Sequence, residues 1–243
     1  MTNELEIKTV QDYWKGENVP QQWYSQKAPF SLQWFNDLAK KRYKTYYSYL
    51  VKDAEFEFHS GEKVLEVGVG IGTDLVQYAK NGARAYGVDL GQDQVEYTKL
   101  NFDVNDLKYE EIKQGSAEEL PFENGSFDAY IVSFGIRNFT DIQKGLEEAM
   151  RVLKPGGRFM CLEFSKLENS KLAKLYETYS MIIPKIGKLV VGDEEPYKYL
   201  VDTIEKFPSQ EKFSTMIRDA GFEKVEYRNI FNGVVAIHSG WKS

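Results

Sequence analysis

The chain has 243 residues, and its 31 Lys+Arg against 37 Asp+Glu give a formal net charge of −6. That acidic balance argues against broad nucleic-acid binding, and the length suits one α/β domain with a buried core and a lid. The single cysteine, Cys161, cannot close an intramolecular disulfide. With no membrane-length apolar run, and with a start (Met1-Thr2-Asn3-Glu4-Leu5-Glu6) lacking signal- or transit-peptide character, it leads to the expectation of a cytoplasmic protein.

Residues 1–58 are rich in aromatics, among them Trp14, Trp23, Trp34, Phe35, Tyr43 and Tyr49, and mostly helical in pattern. They are expected to form a helical lid. Most of the rings are expected to pack helices against a sheet, with lining of a substrate pocket as the alternative. From there strand and helix alternate: strands near 63–67, 83–89, 109–114, 127–133 and 157–164, helices near 72–80, 92–105 and 141–152. Alternation of this kind predicts a parallel sheet covered on both faces. Lys154-Pro155-Gly156-Gly157 reads as a turn ahead of the fifth strand. A helical segment over 169–183 follows, stopped by Pro184, and then a helix from about 198 to Lys206. The next helix, 209–220, has Ser209 as N-cap and Gly221 at its end. Two last strands, near 222–230 and 233–239, are joined by Phe231-Asn232-Gly233, an Asn-Gly hairpin signal. The predicted fold class is α/β and Rossmann-like. It has a seven-stranded, mostly parallel sheet with a C-terminal antiparallel hairpin. The lid region 1–58 precedes a domain over 59–243, which carries a helical insertion at 166–208.

The most informative stretch is Val64-Leu65-Glu66-Val67-Gly68-Val69-Gly70-Ile71-Gly72-Thr73-Asp74. An apolar strand runs into three glycines and then a helix. Such a loop lets the backbone approach a ligand closely, and the helix presents its first N–H groups to it. Asp89 ends the second strand, where a carboxylate can accept hydrogen bonds from ribose hydroxyls. Thr73 stands where the dinucleotide fingerprint wants a third glycine, which disfavours a nicotinamide oxidoreductase. Ser116 and Ala117 follow the third strand and are expected to flank an adenine, with Leu120 or Phe122 against its face. Ser133 ends the fourth strand, between cofactor and substrate, whereas Asp128 starts it at the opposite end and reads as structural. Glu66, just ahead of the glycines, resembles the acidic opening of motif I in class I methyltransferases. The candidate cofactor set is therefore Glu66, Gly68, Gly70, Ile71, Gly72, Asp89, Ser116, Ala117 and Ser133, and the cofactor is S-adenosyl-L-methionine. No metal-ligand spacing is present and no metal is expected.

Ser133-Phe134-Gly135-Ile136-Arg137-Asn138, the run Arg151 to Gly157, and Leu162-Glu163-Phe164-Ser165-Lys166 resemble the ubiquinone/menaquinone biosynthesis C-methyltransferase family. So do Tyr197-Lys198-Tyr199-Leu200, Phe207-Pro208-Ser209-Gln210, the run Ile217 to Phe222, and the ending Asn232 to Lys242. The resemblance covers roughly 108–243; residues 1–107 resemble another branch of small-molecule class I methyltransferases, with Ile71 where the family usually has threonine. It implies methyl transfer from S-adenosylmethionine to a ring carbon of a prenylated quinol precursor. It also implies that Arg137, with Asn138 beside it, positions a water or holds a developing phenolate. Pairing of Arg137 with a nearby carboxylate is the plainer alternative. Neither histidine reads as a base: His59 falls in a surface loop and His238 in the last strand. The apolar, lysine-spaced segment 170–191 fits either a tunnel for a prenyl tail or an amphipathic core helix, and the resemblance favours the tunnel. The expected partner is thus a small molecule, a lipid quinol. A transient membrane-surface contact and a homodimer are compatible with this, and nucleic acid is not expected. The rival readings are a methyltransferase whose other small substrate is chosen by the N-terminal lid, and a non-catalytic protein that binds S-adenosylmethionine.

Overall fold

In a computed structural model, which describes residues 27–46, 48–167 and 195–243, the apolar runs become the strands of one sheet. In chain order they are β1 (Lys63–Val67), β2 (Arg84–Asp89), β3 (Glu111–Gln114), β4 (Phe127–Ser133), β5 (Leu153–Phe164), β6 (Glu223–Ile230) and β7 (Val235–Trp241). Their spatial order is β3-β2-β1-β4-β5-β7-β6. The first five strands are parallel, and β7 pairs antiparallel with both β5 and β6. The order reverses between β1 and β4. In open α/β sheets, ligands bind at such a switch point, in the crevice outside the strands' carboxyl ends.

The helices are α1 (Leu32–Lys40), α2 (Leu50–Asp53), α3 (Thr73–Lys80), α4 (Gln92–Val104), α5 (Ile142–Val152), α6 (Glu195–Lys206) and α7 (Gln210–Asp219), with a π-helical turn over Lys41–Tyr46. Strands covered on both faces read as near-continuous apolar runs, which is why β1 and β4 are so plain in the sequence. Leu65, Val67, Val132 and Phe159 pack against Leu146 of α5 and Phe213 and Ile217 of α7. On the other face Val64, Ala129, Ile131 and Met160 meet Tyr78 of α3 and Phe56 of the N-terminal segment. Leu75 of α3 and Val95 and Phe102 of α4 cover Ala85 of β2 and Ile112 of β3. Asp141 caps α5 by accepting the Lys144 N–H at 3.0 Å, whereas the Ser209 side chain makes no such bond to α7. Asp128 accepts the Lys63 N–H at 2.8 Å and the Lys154 ammonium at 2.7 Å, a structural role at the amino end of β4.

Two readings of the sequence need correction. The turn Lys154–Gly157 lies inside β5 and not before it. Leu153 is already paired with Phe127, and the next partners are Arg158 and Ala129, so the intervening residues bulge out around Gly156 at φ +80°. Burial of Leu153 between α5 and the sheet starts the strand early. His59 does not sit on the surface. It is buried edge-on to Tyr78, with Nδ1 2.7 Å from Glu62, because Phe56 and its neighbours close over that end of α3. The helix expected over 169–183, the apolar segment 170–191, and Trp14 and Trp23 lie outside the described residues. Among the described residues, no helix is long and apolar enough to cross a membrane, and no group of three or more His, Cys, Asp or Glu side chains is placed to hold a metal.

Candidate functional site

The glycine loop joins β1 to α3 at the switch point. Gly68, Gly70 and Gly72 all have positive φ, between +55° and +76°. Their uses differ. A Cβ on Gly72 would stand 2.6 Å from Thr98 Cγ2, so this glycine lets α3 start against α4. A Cβ on Gly70 would meet nothing within 4 Å, so that side of the loop is open. Asp89 braces the loop: its carboxylate accepts the Gly70 N–H at 2.9 Å and the Gly91 N–H at 3.0 Å. Burial raises the Asp89 pKa, against the pull of those N–H donors. Each carboxylate oxygen has a second lone pair, so the bracing leaves Asp89 able to accept from a ribose hydroxyl. Ile71 packs its side chain with Trp34, Phe35 and Leu38 of α1, so it anchors the N-terminal segment to the loop.

Beside the loop is a cluster of charges. Glu66 is buried and its Oε2 has no hydrogen-bond partner among the described residues. Burial, reinforced by the charge of Asp74, pushes the Glu66 pKa well up. Asp74, in the first turn of α3, receives Arg42 through Nε at 2.7 Å and again through Nη2. Arg42 Nη2 also donates to Ser133 Oγ at 2.9 Å, so the end of β4 is tied to the same guanidinium. Tyr43 donates its hydroxyl to Asp74 and to the Thr73 carbonyl. Burial opposes the charge on Arg42, but Asp74 outweighs it and the pKa is raised. Arg42 is not among the residues the sequence suggests, and Tyr43 appears there only as one aromatic of the lid, since their partner Asp74 is 32 and 31 positions away.

After β3, Ser116 accepts the Glu118 N–H at 3.2 Å, and Ala117 packs on the main core. Leu120 is buried in that core, and Phe122 is engaged edge-on with Phe127 at 4.9 Å and by the Lys113 ammonium at 4.3 Å. Both side chains are committed to packing, and Glu118 in the same segment is buried and accepts the Thr140 and Asp141 N–H groups.

At the end of β4 the chain turns through Phe134, a non-glycine at φ +55°. Arg137 holds this turn. Its Nη1 donates to the Phe134 carbonyl and, at 2.9 Å, to Glu163 of β5. Glu163 is buried and also accepts the Phe164 N–H at 2.8 Å. Burial raises its pKa, opposed by Arg137. The structure therefore gives Arg137 the carboxylate partner that was the plainer alternative, while Arg137 Nε is buried with no partner among the described residues. Asn138 accepts a hydrogen bond from the Tyr199 hydroxyl of α6 at 3.0 Å. A cleft nearby is lined by Leu50, Ala54, Phe56, Ile131, Met160 and Leu162, with Asp53, Asp74 and Ser133 as its polar residues.

The residues present fit S-adenosylmethionine. The glycine loop has an open side at Gly70, Asp89 can still accept, and Glu66 offers a buried carboxylate oxygen with no partner among the described residues next to the loop.

A model of the ubiE/COQ5 methyltransferase family matches residues 34–242, so the match is not confined to the stretch from about 108 onward. A ubiquinone/menaquinone biosynthesis C-methyltransferase UbiE of Brucella anthropi is 59% identical over 133 residues, 54% of this chain and 51% of that protein. A mitochondrial 2-methoxy-6-polyprenyl-1,4-benzoquinol methylase of Bos taurus is 57% identical over 129 residues, 53% of this chain and 39% of that protein. The chain thus spans about half the length, or less, of these two curated relatives. Among solved structures, a SAM-dependent methyltransferase from Aquifex aeolicus aligns with TM-score 0.60 at 20% identity, covering 88% of this chain and 99% of the other. The [4+2]-cyclase SpnF aligns with TM-score 0.68 at 17% identity, covering 98% and 96%. Likeness at this identity shows the Rossmann-like fold and not the reaction.

Proposed function

The chain belongs to the ubiE/COQ5 methyltransferase family, and on that premise we propose that it uses S-adenosyl-L-methionine to methylate a ring carbon of a prenylated quinol precursor. The observation that carries the cofactor reading is the buried Glu66 carboxylate with an unpartnered oxygen, set beside a glycine loop whose Gly70 side is open. Glu66, the loop over Gly68–Gly72 and Asp89 hold the cofactor, Ser116 and Ala117 border its base, and Ser133 lies between it and the acceptor. When bound, the cofactor supplies a methyl group already activated by the sulfonium.

The protein's task is alignment and exclusion of water. A quinol carbon becomes nucleophilic when the neighbouring hydroxyl loses its proton, so the acceptor oxygen needs a donor for its developing charge. Arg137 is suited as that donor through Nε, a buried guanidinium nitrogen with no partner among the described residues. Its charge is already balanced by Glu163, so it acts as a fixed hydrogen-bond donor and not as a free cation. Asn138, held by Tyr199, stands beside it. A prenylated acceptor brings the protein to a membrane surface at least transiently.

The test is incubation with methyl-labelled cofactor and a panel of lipid quinols and polar small molecules, read by mass spectrometry. Label on a ring carbon of a lipid quinol is the expected result. Label on a polar acceptor would replace the quinol by a substrate chosen by the N-terminal segment. Cofactor binding with no turnover of any acceptor would favour a non-catalytic binding protein.

A further inference from the structure

The hairpin between β6 and β7 holds a large apolar side chain in water. Phe231 is 65% exposed and has φ +49°, a left-handed conformation that is an outlier for a bulky residue. It costs free energy twice, in the backbone and in the wetted ring, and such a cost at one residue points to a use. β7 starts at Val235 opposite Phe164, the last residue of β5, so the hairpin tip lies beyond the carboxyl end of β5, on the same rim as Ser133. α2 stands on that rim as well. Leu50 packs with Leu162, Ile230 and Val235, and Tyr49 meets the Phe231 ring edge-on at 5.6 Å. Val51, the next residue of α2, is 51% exposed. Arg228 of β6 pairs with Asp53 and so fastens the hairpin strand to α2. The charge leading into this patch is of one sign. From Lys40 to Lys52 the sequence carries Lys40, Lys41, Arg42, Lys44 and Lys52 and no acidic residue, in a chain of net charge −6. Lys41 and Arg42 are engaged by Asp37 and Asp74, whereas Lys44 and Lys52 are exposed.

We propose that the hairpin tip and α2 form a docking surface for an anionic lipid bilayer, with Phe231 and Val51 entering the acyl boundary and Lys44 and Lys52 facing the lipid phosphates. Charge complementarity selects this occupant. An apolar tip beside a run of basic residues, on a protein whose overall charge is negative, matches a surface that is apolar below and anionic above. The inference rests on the prenylated-acceptor reading above, because such an acceptor resides in a bilayer, and it names the face that meets that bilayer. Position supports it too. The cluster of Leu50, Leu162, Ile230 and Val235, with Phe134 and Phe164 packed against it, joins the exposed tip to the turn after β4. A protein seated on this rim therefore has its acceptor side toward the membrane, with an apolar path between the two.

Sedimentation of the full chain with sucrose-loaded vesicles tests the surface without any turnover. The vesicles are phosphatidylcholine alone, or an equal mixture of phosphatidylcholine and phosphatidylglycerol. The wild type should bind the mixed vesicles more tightly, and high salt should erase that preference. Phe231→Asn combined with Val51→Gln should weaken binding to the mixed vesicles by about tenfold or more, since both inserted apolar groups are lost. Asn accepts the left-handed backbone, so the hairpin is kept. Lys52→Glu should weaken the same binding by about fivefold, while binding to phosphatidylcholine alone changes by less than about twofold. Each variant should methylate a short-tailed quinol in solution at the wild-type rate. If a thermal melt shows that the double variant is unfolded, Val51→Gln and Lys52→Glu singly carry the test. A wild type that ignores the mixed vesicles, or variants that bind them as the wild type does, would overturn the proposal. So would a wild-type dimer in velocity sedimentation that the double variant dissolves with no change in vesicle binding, which would make the patch a contact between copies of the chain. A wild type that docks through this patch yet methylates no quinol would instead overturn the acceptor reading and leave the surface standing.

Discussion

Each half of the sheet buries a glutamate, and the two are treated in opposite ways. Glu163, on the acceptor side, accepts from Arg137 at 2.9 Å and from the Phe164 N–H at 2.8 Å, and the loop after β4 is built around the pair. Glu66, beside the glycine loop, keeps an oxygen with no partner among the described residues, in a cluster where burial raises its pKa and Asp74 raises it further. Leaving a buried charge unsatisfied is costly in a fold, and satisfying it is the ordinary solution. The contrast teaches that Glu163 serves the fold directly, by clamping the Phe134 turn, while Glu66 keeps an oxygen that nothing among the described residues satisfies.

The largest expected effect breaks the acceptor side. Glu163→Ala leaves Arg137 buried and uncompensated and should cost about 3–5 kcal/mol in denaturant unfolding, the usual penalty for removing one partner of a buried pair. If the loss is below about 1 kcal/mol, the clamp is not what holds the turn.

His238 sharpens the comparison, since it too is buried on the acceptor side. Burial lowers its pKa to about 4, with Nε2 3.2 Å from the Gln210 carbonyl. The folded value lies below the unfolded one of about 6.5, so its contribution is complete above pH 6.5 and is lost as pH falls toward 4. Unfolding free energy should drop by about 3 kcal/mol across that window, at ~1.4 kcal/mol per pKa unit, and His238→Gln should flatten that part of the profile. An unchanged slope in the variant would assign the pH dependence elsewhere.

The glycine loop offers a smaller, internal contrast. Gly72→Ala combines φ +72° with a Cβ 2.6 Å from Thr98 Cγ2, whereas Gly70→Ala bears only the strain of φ +55°. Gly70→Ala should cost about 1–2 kcal/mol, the left-handed penalty alone. Gly72→Ala should cost about 1–3 kcal/mol more, because its neighbour must move. Equal losses in the two melts would mean that Thr98 yields freely.

The smallest effect has the opposite sign. Burial and Asp74 raise the Glu66 pKa above its ordinary 4.5, so the stability of its protonated form is lost as pH rises through the raised value. Glu66→Gln removes that loss. The ligand-free variant should match the wild type near pH 4 and exceed it in unfolding free energy at neutral pH. A destabilised variant at pH 7 would mean that Glu66 is a structural group like Glu163.

Legibility in the sequence follows the same divide. β1 and β4 are legible to the residue because both faces are covered and the apolar runs are unbroken. The glycine loop and Asp89 are legible because turn, ligand approach and strand end are local features. The early start of β5 is not. Pro155-Gly156-Gly157 reads as a turn, and only pairing with Phe127, far along the chain, makes Leu153 part of a strand. Arg137 is visible in the sequence, but its partner Glu163 lies 26 residues on, and Arg42 is 32 residues from Asp74. One signal for the first pair is present: Glu163 interrupts the apolar run Phe159–Phe164, and a charge inside a buried strand calls for a partner. His59 reads as exposed because nothing local shows that Phe56 folds over the same end of α3.

The central claim is that the open side of the glycine loop, with Asp89 and Glu66, receives an S-adenosyl cofactor. Calorimetric titration of S-adenosylhomocysteine into the wild type and into Asp89→Ala tests it most directly. The account predicts binding to the wild type and a loss of about 1.5–3 kcal/mol in the variant, the range for a hydrogen bond to a charged group. Unchanged affinity in a folded Asp89→Ala, or no binding to the wild type, would contradict it.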